Sequence, residues 1–344
     1  MIYVGMDIHK KTTTFCALDQ EGKVIHRGTV PSGETGWLEA IHRWPKDEIA
    51  VALETGSMTW WVVDVLREAG IEPIVVDARQ FKMIADSKKK SDRHDAWALA
   101  DGLRGGLAER IAVNVPREKA RRARSLMQTR QQILKQRNMT VNAVKAMLRS
   151  VGVEMKKAQW PKDSHWEKVL ENPAVPIWMK PFLITQRSIW GHLEQQRQDF
   201  DALVHEELSC WPEAQLLLEM PGFGPIVTLG ILSGIDDIKR FRRSNQLASY
   251  AGLIPSSRDS GAVQRRGGIT RQGRSLMRYF AVQAAWAAMR SKNLTIPLRK
   301  WSRRLIVKRG KKVAAVALAR RLLVLAHKLL TTEEVYNPNY PVVA

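Results

Sequence analysis

The 344-residue sequence has only two cysteines, Cys16 and Cys210, far apart in the chain. So sparse a set builds neither a disulfide framework nor a zinc site. Both read as reduced packing residues, as expected of a cytoplasmic protein. Long apolar runs are also missing. The most apolar late stretch, VAAVALARRLLVLAHKLL (313–330), is interrupted by Arg320, Arg321, His327 and Lys328, which excludes a membrane span and suits an amphipathic helix. The N-terminus, MIYVGMDIHKK, carries Asp7 and lacks the basic-then-apolar order of a signal peptide. No histidine lies between His205 and His327, so a serine in that interval has no local imidazole base. Acidic residues are the scarcest class relative to their opposites: 34 Asp+Glu against 55 Lys+Arg, a net charge of +21. From 240 to 312, nineteen Lys/Arg accompany a single acid, Asp259. That imbalance implies a polyanionic partner, nucleic acid first, and a nucleoid-associated location.

What remains is the composition of a globular chain, 44% hydrophobic and 26% charged, long enough for more than one domain. IYVGMDI, TTTFCAL and KVIHRGTV read as three strands in quick succession. GETGWLEAIHRW reads as a helix, EIAVALE as a strand, TWWVVDVLREAG as a helix ending at Gly70, and IEPIVVDA as a strand. The order βββαβαβ is a mixed sheet with its last strands parallel. It is the pattern of an α/β domain of ribonuclease-H-like fold, although a small Rossmann-like domain shares parts of it. Residues 117–149 follow with helical apolar spacing, ten Lys/Arg and one acid, Glu118, which predicts a long helix with a basic face. The Trp- and Pro-rich segment 155–182 reads as an irregular link, and 183–209 as a helix returning antiparallel to the first, a helical hairpin or coiled coil. Beyond 213, PGFGP (221–225) lies between two apolar helical patterns in a mainly α region. A turn of this kind exposes backbone N–H groups to a phosphate, as in a helix-hairpin-helix unit, through Gly222 and Gly224. The expected divisions are therefore 1–115, 116–212, 213–330 and a loose tail at 331–344.

Four acids carry the chemistry. Asp7 ends the first strand and Glu54 the fourth, so parallel neighbours would deliver both carboxylates to one sheet edge. Asp92 and Asp95, three residues apart in KKKSDRHDAWALAD, share one helix face. Converging carboxylates repel unless a cation sits among them. Hard oxygen ligands select Mg²⁺ or Mn²⁺, which clamp a phosphodiester for in-line displacement. His9 and His94 flank the acids as at most supporting or phosphate-facing groups, and Asp101 reads as solvated. Trp60, Trp61 and Trp97 sit in helical patterns that predict core positions. Trp160, Trp166 and Trp178, in the link, are candidates for stacking on unpaired bases.

The acids in VGMDIHK, ALETG and KSDRHDA, together with MPGFGPIVTLGILSGI and YAGLIPSSRDSGAVQRRGGITRQGRSLMR, resemble the DEDD insertion-sequence transposases of the Piv invertase group. The resemblance implies a RuvC-like domain holding Mg²⁺ or Mn²⁺ on Asp7, Glu54, Asp92 and Asp95, followed by a serine-bearing domain. It also implies that Ser260, immediately before Gly261, is the nucleophile forming a phosphoserine link to DNA. The family's serine before it is Asp259 here, and Ser256 and Ser257 stand as alternatives. Arg258, Arg265, Arg266, Arg271 and Arg274 would contact phosphate, and Gly267, Gly268 and Gly273 would let the loop approach a backbone. Better-studied members use a structured non-coding bridge RNA as guide, and strand exchange implies a dimer or tetramer. Two other readings stay open: a Mg²⁺-dependent junction nuclease hydrolysing DNA without a covalent intermediate, and a non-enzymatic nucleic-acid-binding scaffold.

Overall fold

The computed structural model describes residues 1–77, 80–81, 91–260, 263–291, 294 and 296–338. They fall into two compact units, Met1–Val115 and Pro116–Ala344. No helix among them is long and apolar enough to cross a membrane.

The first unit begins with β1 (Ile2–Ile8), β2 (Thr12–Leu18) and β3 (Val24–Pro31), then α1 (Glu34–Ile41), β4 (Ile49–Glu54), α2 (Thr59–Glu68) and β5 (Ile74–Val76). α3 (Asp92–Arg104) and α4 (Leu107–Arg110) complete it. The five strands form one sheet in the order β3-β2-β1-β4-β5. β1 runs antiparallel to β2 and parallel to β4, and β4 runs parallel to β5. This is the mixed sheet that the sequence pattern predicts.

Strand alternation sorts the side chains onto two faces. Val4, Met6, Val51 and Leu53 join Trp37, Val62 and Leu66 beneath α1 and α2. Their neighbours point the other way: Tyr3 and Ala52 pack with Leu99 and Leu103, and Cys16 and Leu18 with Ala96 and Ala100, all beneath α3. Gly5 belongs to this second face, and there α3 lies directly on the strand. A Cβ at Gly5 would come within 2.1 Å of the Ala96 carbonyl oxygen and 2.5 Å of the Ala100 nitrogen. Asp7 and Glu54 have the same parity as Gly5 and Ala52, so both face the side that α3 covers.

The second unit opens with α5 (Glu118–Arg149) and returns along α7 (Lys180–Ser209), with α6 (Asp163–Glu171) between them. The hairpin is fastened by three matched ion pairs: Arg122–Glu207 at 2.7 Å, Arg130–Asp201 at 2.6 Å and Arg137–Glu194 at 2.5 Å. The expected basic face of α5 is thereby reduced, because these cations are turned onto the acids of α7. Segment 155–182 is also more ordered than an irregular link. Trp160 and Trp166 meet edge to face at 5.2 Å and are buried with Val144, Leu148, Leu183 and Trp190. They are core residues rather than base-stacking ones, and only Trp178 of that trio is exposed. The opposite correction applies to Trp60, Trp61 and Trp97, which reach the surface. In α2 the inward stripe is taken by Val62, Val63, Val65 and Leu66, leaving Trp61 to pack edge-on against Trp37 at 4.7 Å.

α8 (Ala214–Leu218) and α9 (Pro225–Ile235) flank the PGFGP turn. α9 is buried from Thr228 through Ile235, and its last carbonyls would be orphaned in that setting. Arginines serve them instead. Arg124 donates to the Ser233 oxygen at 2.6 Å and the Gly234 oxygen at 3.3 Å. Arg240 donates to Ile235 at 2.9 Å, and Arg117 pairs with the buried Asp236 just beyond the helix at 2.9 Å. Cations at a helix C-terminus also oppose its dipole. Burial and the nearby Arg274 push Arg124 down to about 10, so it stays charged at neutral pH. The chain continues through α10 (Ser244–Tyr250), the antiparallel hairpin of β6 (Pro255–Ser260) and β7 (Val263–Ile269), α11 (Ser275–Ala288), α12 (Ile296–Arg309) and α13 (Lys311–Thr332). One core unites Met127 of α5 and Leu208 of α7 with Leu229, Phe280 and Leu322.

Two outcomes follow for stability. Gly5→Ala forces α3 away from β1 and lowers unfolding free energy by about 1–3 kcal/mol, the size of an overpacking penalty. Arg124→Met strips buried carbonyls of their donor and costs about 1–3 kcal/mol, whereas Lys135→Met on the exposed side of the same helix stays within about 0.5 kcal/mol of wild type. Urea unfolding followed by circular dichroism reads all three.

Candidate metal centre and nucleic-acid interface

Asp7 is one residue from the end of β1, where the strand still runs beside β4. The last pair of that ladder is Met6 with Leu53, so Asp7 and Glu54 are the next residues of their strands at the same sheet edge. α3 begins here. Ser91 is its N-cap and accepts from the His94 amide at 3.3 Å, leaving Asp92 and Asp95 in the first turn. Carboxylates are stable there, near the positive end of the helix dipole.

The close seating of α3 on Gly5 brings this first turn to Asp7. His9 Nε2 lies 3.1 Å from Asp7 Oδ2 and 3.6 Å from Asp92 Oδ1. One potential ligand atom from each of Asp7, His9 and Asp92 falls within 4.8 Å of the others. The Asp7 side chain is 14% exposed and Asp92 60%, so the cluster is walled on one side and open on the other. Burial raises the Asp7 carboxyl above its ordinary range, His9 offsets part of the rise, and the charges of Asp95 and Asp92 add to it. Asp95 is thus close enough for its charge to act on Asp7. Glu54 shares the face and the edge by strand register.

His9 is the residue that sequence reasoning underrated. Its signal was available: in DIHK, the residue two beyond Asp7 on an extended chain returns to the same face. His94 behaves differently, stacking on Trp97 with ring centroids 5.6 Å apart. Asp101 is paired with Arg104 at 2.7 Å and is half-exposed.

The donor set suits a hard divalent cation: two carboxylates and an imidazole within reach of one point, with a third carboxylate beside them. A repelled, partly buried Asp7 is the physical sign of a site that gains from a positive charge.

In the second unit, the serine motif lies on a β-hairpin rather than a polar loop. Ser260 ends β6 and its backbone pairs with Val263. The side chains of Ser257, Arg258, Asp259, Ser260, Arg265 and Arg266 lie outside the described residues. Ser256 donates to the Gly268 carbonyl at 2.9 Å across the hairpin, which gives it a structural partner. Arg271 has a positive φ of 55° and receives Arg278 Nη1 on its carbonyl at 3.1 Å. Arg274 starts α11, and its buried Nε has no hydrogen-bond partner among the described residues. Burial raises the neighbouring Tyr250 phenol, but Arg274, Arg240 and Arg124 together hold it below its ordinary value. This is a strongly positive recess. In the PGFGP turn, Gly222 has φ 88° and its Cβ position lies 2.1 Å from the Ala284 oxygen, so packing against α11 already requires glycine there. Gly224 is open, with nothing within 4 Å.

The carboxylate cluster predicts a linked pair of outcomes. An acid whose folded pKa is raised loses stability as pH climbs through its unfolded value toward the folded one, and carries the full penalty above both. At neutral pH in EDTA, Asp7→Asn removes that penalty and raises the melting temperature. Saturating Mn²⁺ stabilises the wild type, by about 2.7 kcal/mol at a hundredfold excess over Kd, and leaves Asp7→Asn unchanged. Differential scanning calorimetry with and without metal reads both effects.

Comparison with known proteins places the chain in a family. The sequence model of the DEDD transposases of the IS110 group matches residues 4–153, and that of the transposase IS116/IS110/IS902 family matches residues 214–299. The transposase for insertion sequence element IS1111A of Coxiella burnetii is 25% identical over 97% of this chain and 91% of its own length. A probable family 20 transposase of Pseudomonas aeruginosa is 25% identical over 97% of this chain and 98% of its own. The first matched segment contains the four acids and the second contains Ser260, both in the order found here. The chain belongs to the DEDD insertion-sequence transposases of the IS110/IS116 group and is a DNA transposase.

Proposed function

We propose that this transposase cleaves and rejoins DNA through a phosphoserine on Ser260, with a divalent ion, Mg²⁺ or Mn²⁺, held by Asp7, Glu54, Asp92 and Asp95. The clustering of Asp7, His9 and Asp92 within 4.8 Å, with the charge of Asp95 acting on Asp7, carries this reading. The sheet order β3-β2-β1-β4-β5, with acids at the edge of adjacent parallel strands, supports a ribonuclease-H-like, RuvC-like first unit. Bound there, the ion would neutralise the carboxylates and polarise the scissile phosphodiester.

The protein's own groups account for the rest. Asp7 and Asp92 orient the ligand set, and the His9 imidazole steadies both. Ser260 Oγ attacks phosphorus, the Oγ–P bond forms as the P–O bond to one deoxyribose breaks, and the serine proton leaves while the departing oxygen gains one. Rejoining reverses the exchange, with the hydroxyl of another strand attacking the phosphoserine. Arg258, Arg265, Arg266, Arg271 and Arg274 meet the negative charge that develops on the phosphoryl oxygens. Gly222 and Gly224 present backbone N–H groups to a DNA phosphate. A structured RNA guide, pairing with donor and target DNA, supplies sequence choice, and a dimer or tetramer handles the two strands.

The test uses the full chain with labelled DNA carrying its own element ends. Wild type forms an SDS-resistant protein–DNA adduct in Mg²⁺. Ser260→Ala loses it by about a thousandfold or more, the scale of a lost nucleophile, and still binds DNA. Undiminished cleavage by Ser260→Ala, or free 5′-phosphate ends without an adduct in the wild type, contradicts the serine mechanism; the second result selects hydrolysis.

A further inference from the structure

At the foot of the β6–β7 hairpin, where Pro255 faces Ile269, a cavity of about 520 Å³ opens between the hairpin and helices α10, α12 and α13. Its size is that of a small-molecule pocket. Leu253, Ile269, Val316 and Ala317 form apolar walls. Among the described residues its charged lining is of one sign: Lys312, Arg320 and Arg321, with no acid.

One wall has a flat surface suited to aromatic stacking. The Arg321 guanidinium lies 4.1 Å from the centroid of the Trp301 ring, a planar cation–aromatic pair. Arg321 Nη1 is buried and has no hydrogen-bond partner among the described residues. Beside it, Arg320 Nη2 donates to the Asn245 side-chain oxygen at 3.3 Å, so the Asn245 amide group also lines the pocket. A planar stacking surface, apolar walls and, among the described residues, a cationic rim match a nucleobase with its phosphate better than an aliphatic ligand or an acidic peptide.

We propose that this pocket receives a single unstacked nucleobase of the bound nucleic acid, stacked at Trp301 and Arg321, with its phosphate against Lys312 and Arg320. The hairpin then has two functions, because the strand that forms the pocket wall at Pro255 carries Ser260 five residues further on. At the usual strand rise that is roughly 16 Å. An extruded base held at one end of β6 would fix the register of the nucleic acid relative to the serine at the other. The inference rests on the reading of the chain as a nucleic-acid-handling enzyme, and does not depend on phosphoserine chemistry.

The experiment uses the full chain bearing Ser260→Ala, without divalent metal, and single-stranded oligonucleotides carrying 5-iodouracil at successive positions, as DNA and as RNA. Long-wavelength irradiation followed by peptide mass spectrometry should give a crosslink at Trp301 from one position, and the oligonucleotide that gives it identifies the source strand. Ala317→Trp, which fills the cavity, and Val313→Asp, which places an acid on its exposed rim, should each remove that crosslink and weaken binding about tenfold, the scale of one lost base stack. Trp301→Phe should keep the affinity within about threefold, because a ring remains for stacking. Val313 is half-exposed, so its substitution leaves folding intact if Ala317→Trp does not. Crosslinks that map only elsewhere, or wild-type affinity in both cavity variants, overturn the pocket and leave the functional reading standing. No nucleic-acid binding by the wild type overturns both.

Discussion

The contact between α3 and Gly5 governs the carboxylate cluster. A helix can lie this close to a strand only where the strand has no side chain, and here a single methyl group would meet the Ala96 carbonyl at 2.1 Å. The approach fixes the height of α3 above the sheet. Ser91 then fixes where the helix begins, and the two constraints together set the position of Asp92 and Asp95 relative to Asp7. Strand alternation supplies the remaining condition, because Asp7 and Glu54 share the face that α3 covers. Backbone packing thus positions the carboxylates of the candidate metal centre.

The second unit solves a different problem with arginine. Its central helix α9 is too apolar to be solvated and too buried to have its carbonyls met by water. Arg117, Arg124 and Arg240 converge on that end, while Arg122, Arg130 and Arg137 hold α5 to α7. The strong positive balance of the chain therefore has two origins. Part of it is internal architecture, tied to carbonyls and acids. The other part is concentrated between residues 240 and 312, where nineteen Lys/Arg accompany a single acid, Asp259.

These distinctions explain what the sequence made legible. The strand order is readable because alternation is local. The long α5 and its return in α7 were readable from helical periodicity. The fates of individual arginines and tryptophans were not, since they depend on which partner a distant segment supplies. Trp160 and Trp166 are buried because α5 and α7 extend beyond the main core and need one of their own; Trp61 is exposed because four aliphatic residues occupy the inner stripe of α2. The polar composition of SSRDSG hides its strand pairing, which is a non-local property. The place of His9 beside Asp7 and Asp92 is likewise non-local, because it depends on α3 delivering Asp92.

The claim on which this account turns is that the seating of α3 on β1 creates a divalent-cation site. Crystals grown in Mn²⁺ and measured at the manganese absorption edge test it directly. The account predicts an anomalous peak at ligand distance from the carboxylates of both Asp7 and Asp92. A manganese peak elsewhere, with none between these two side chains, would contradict it.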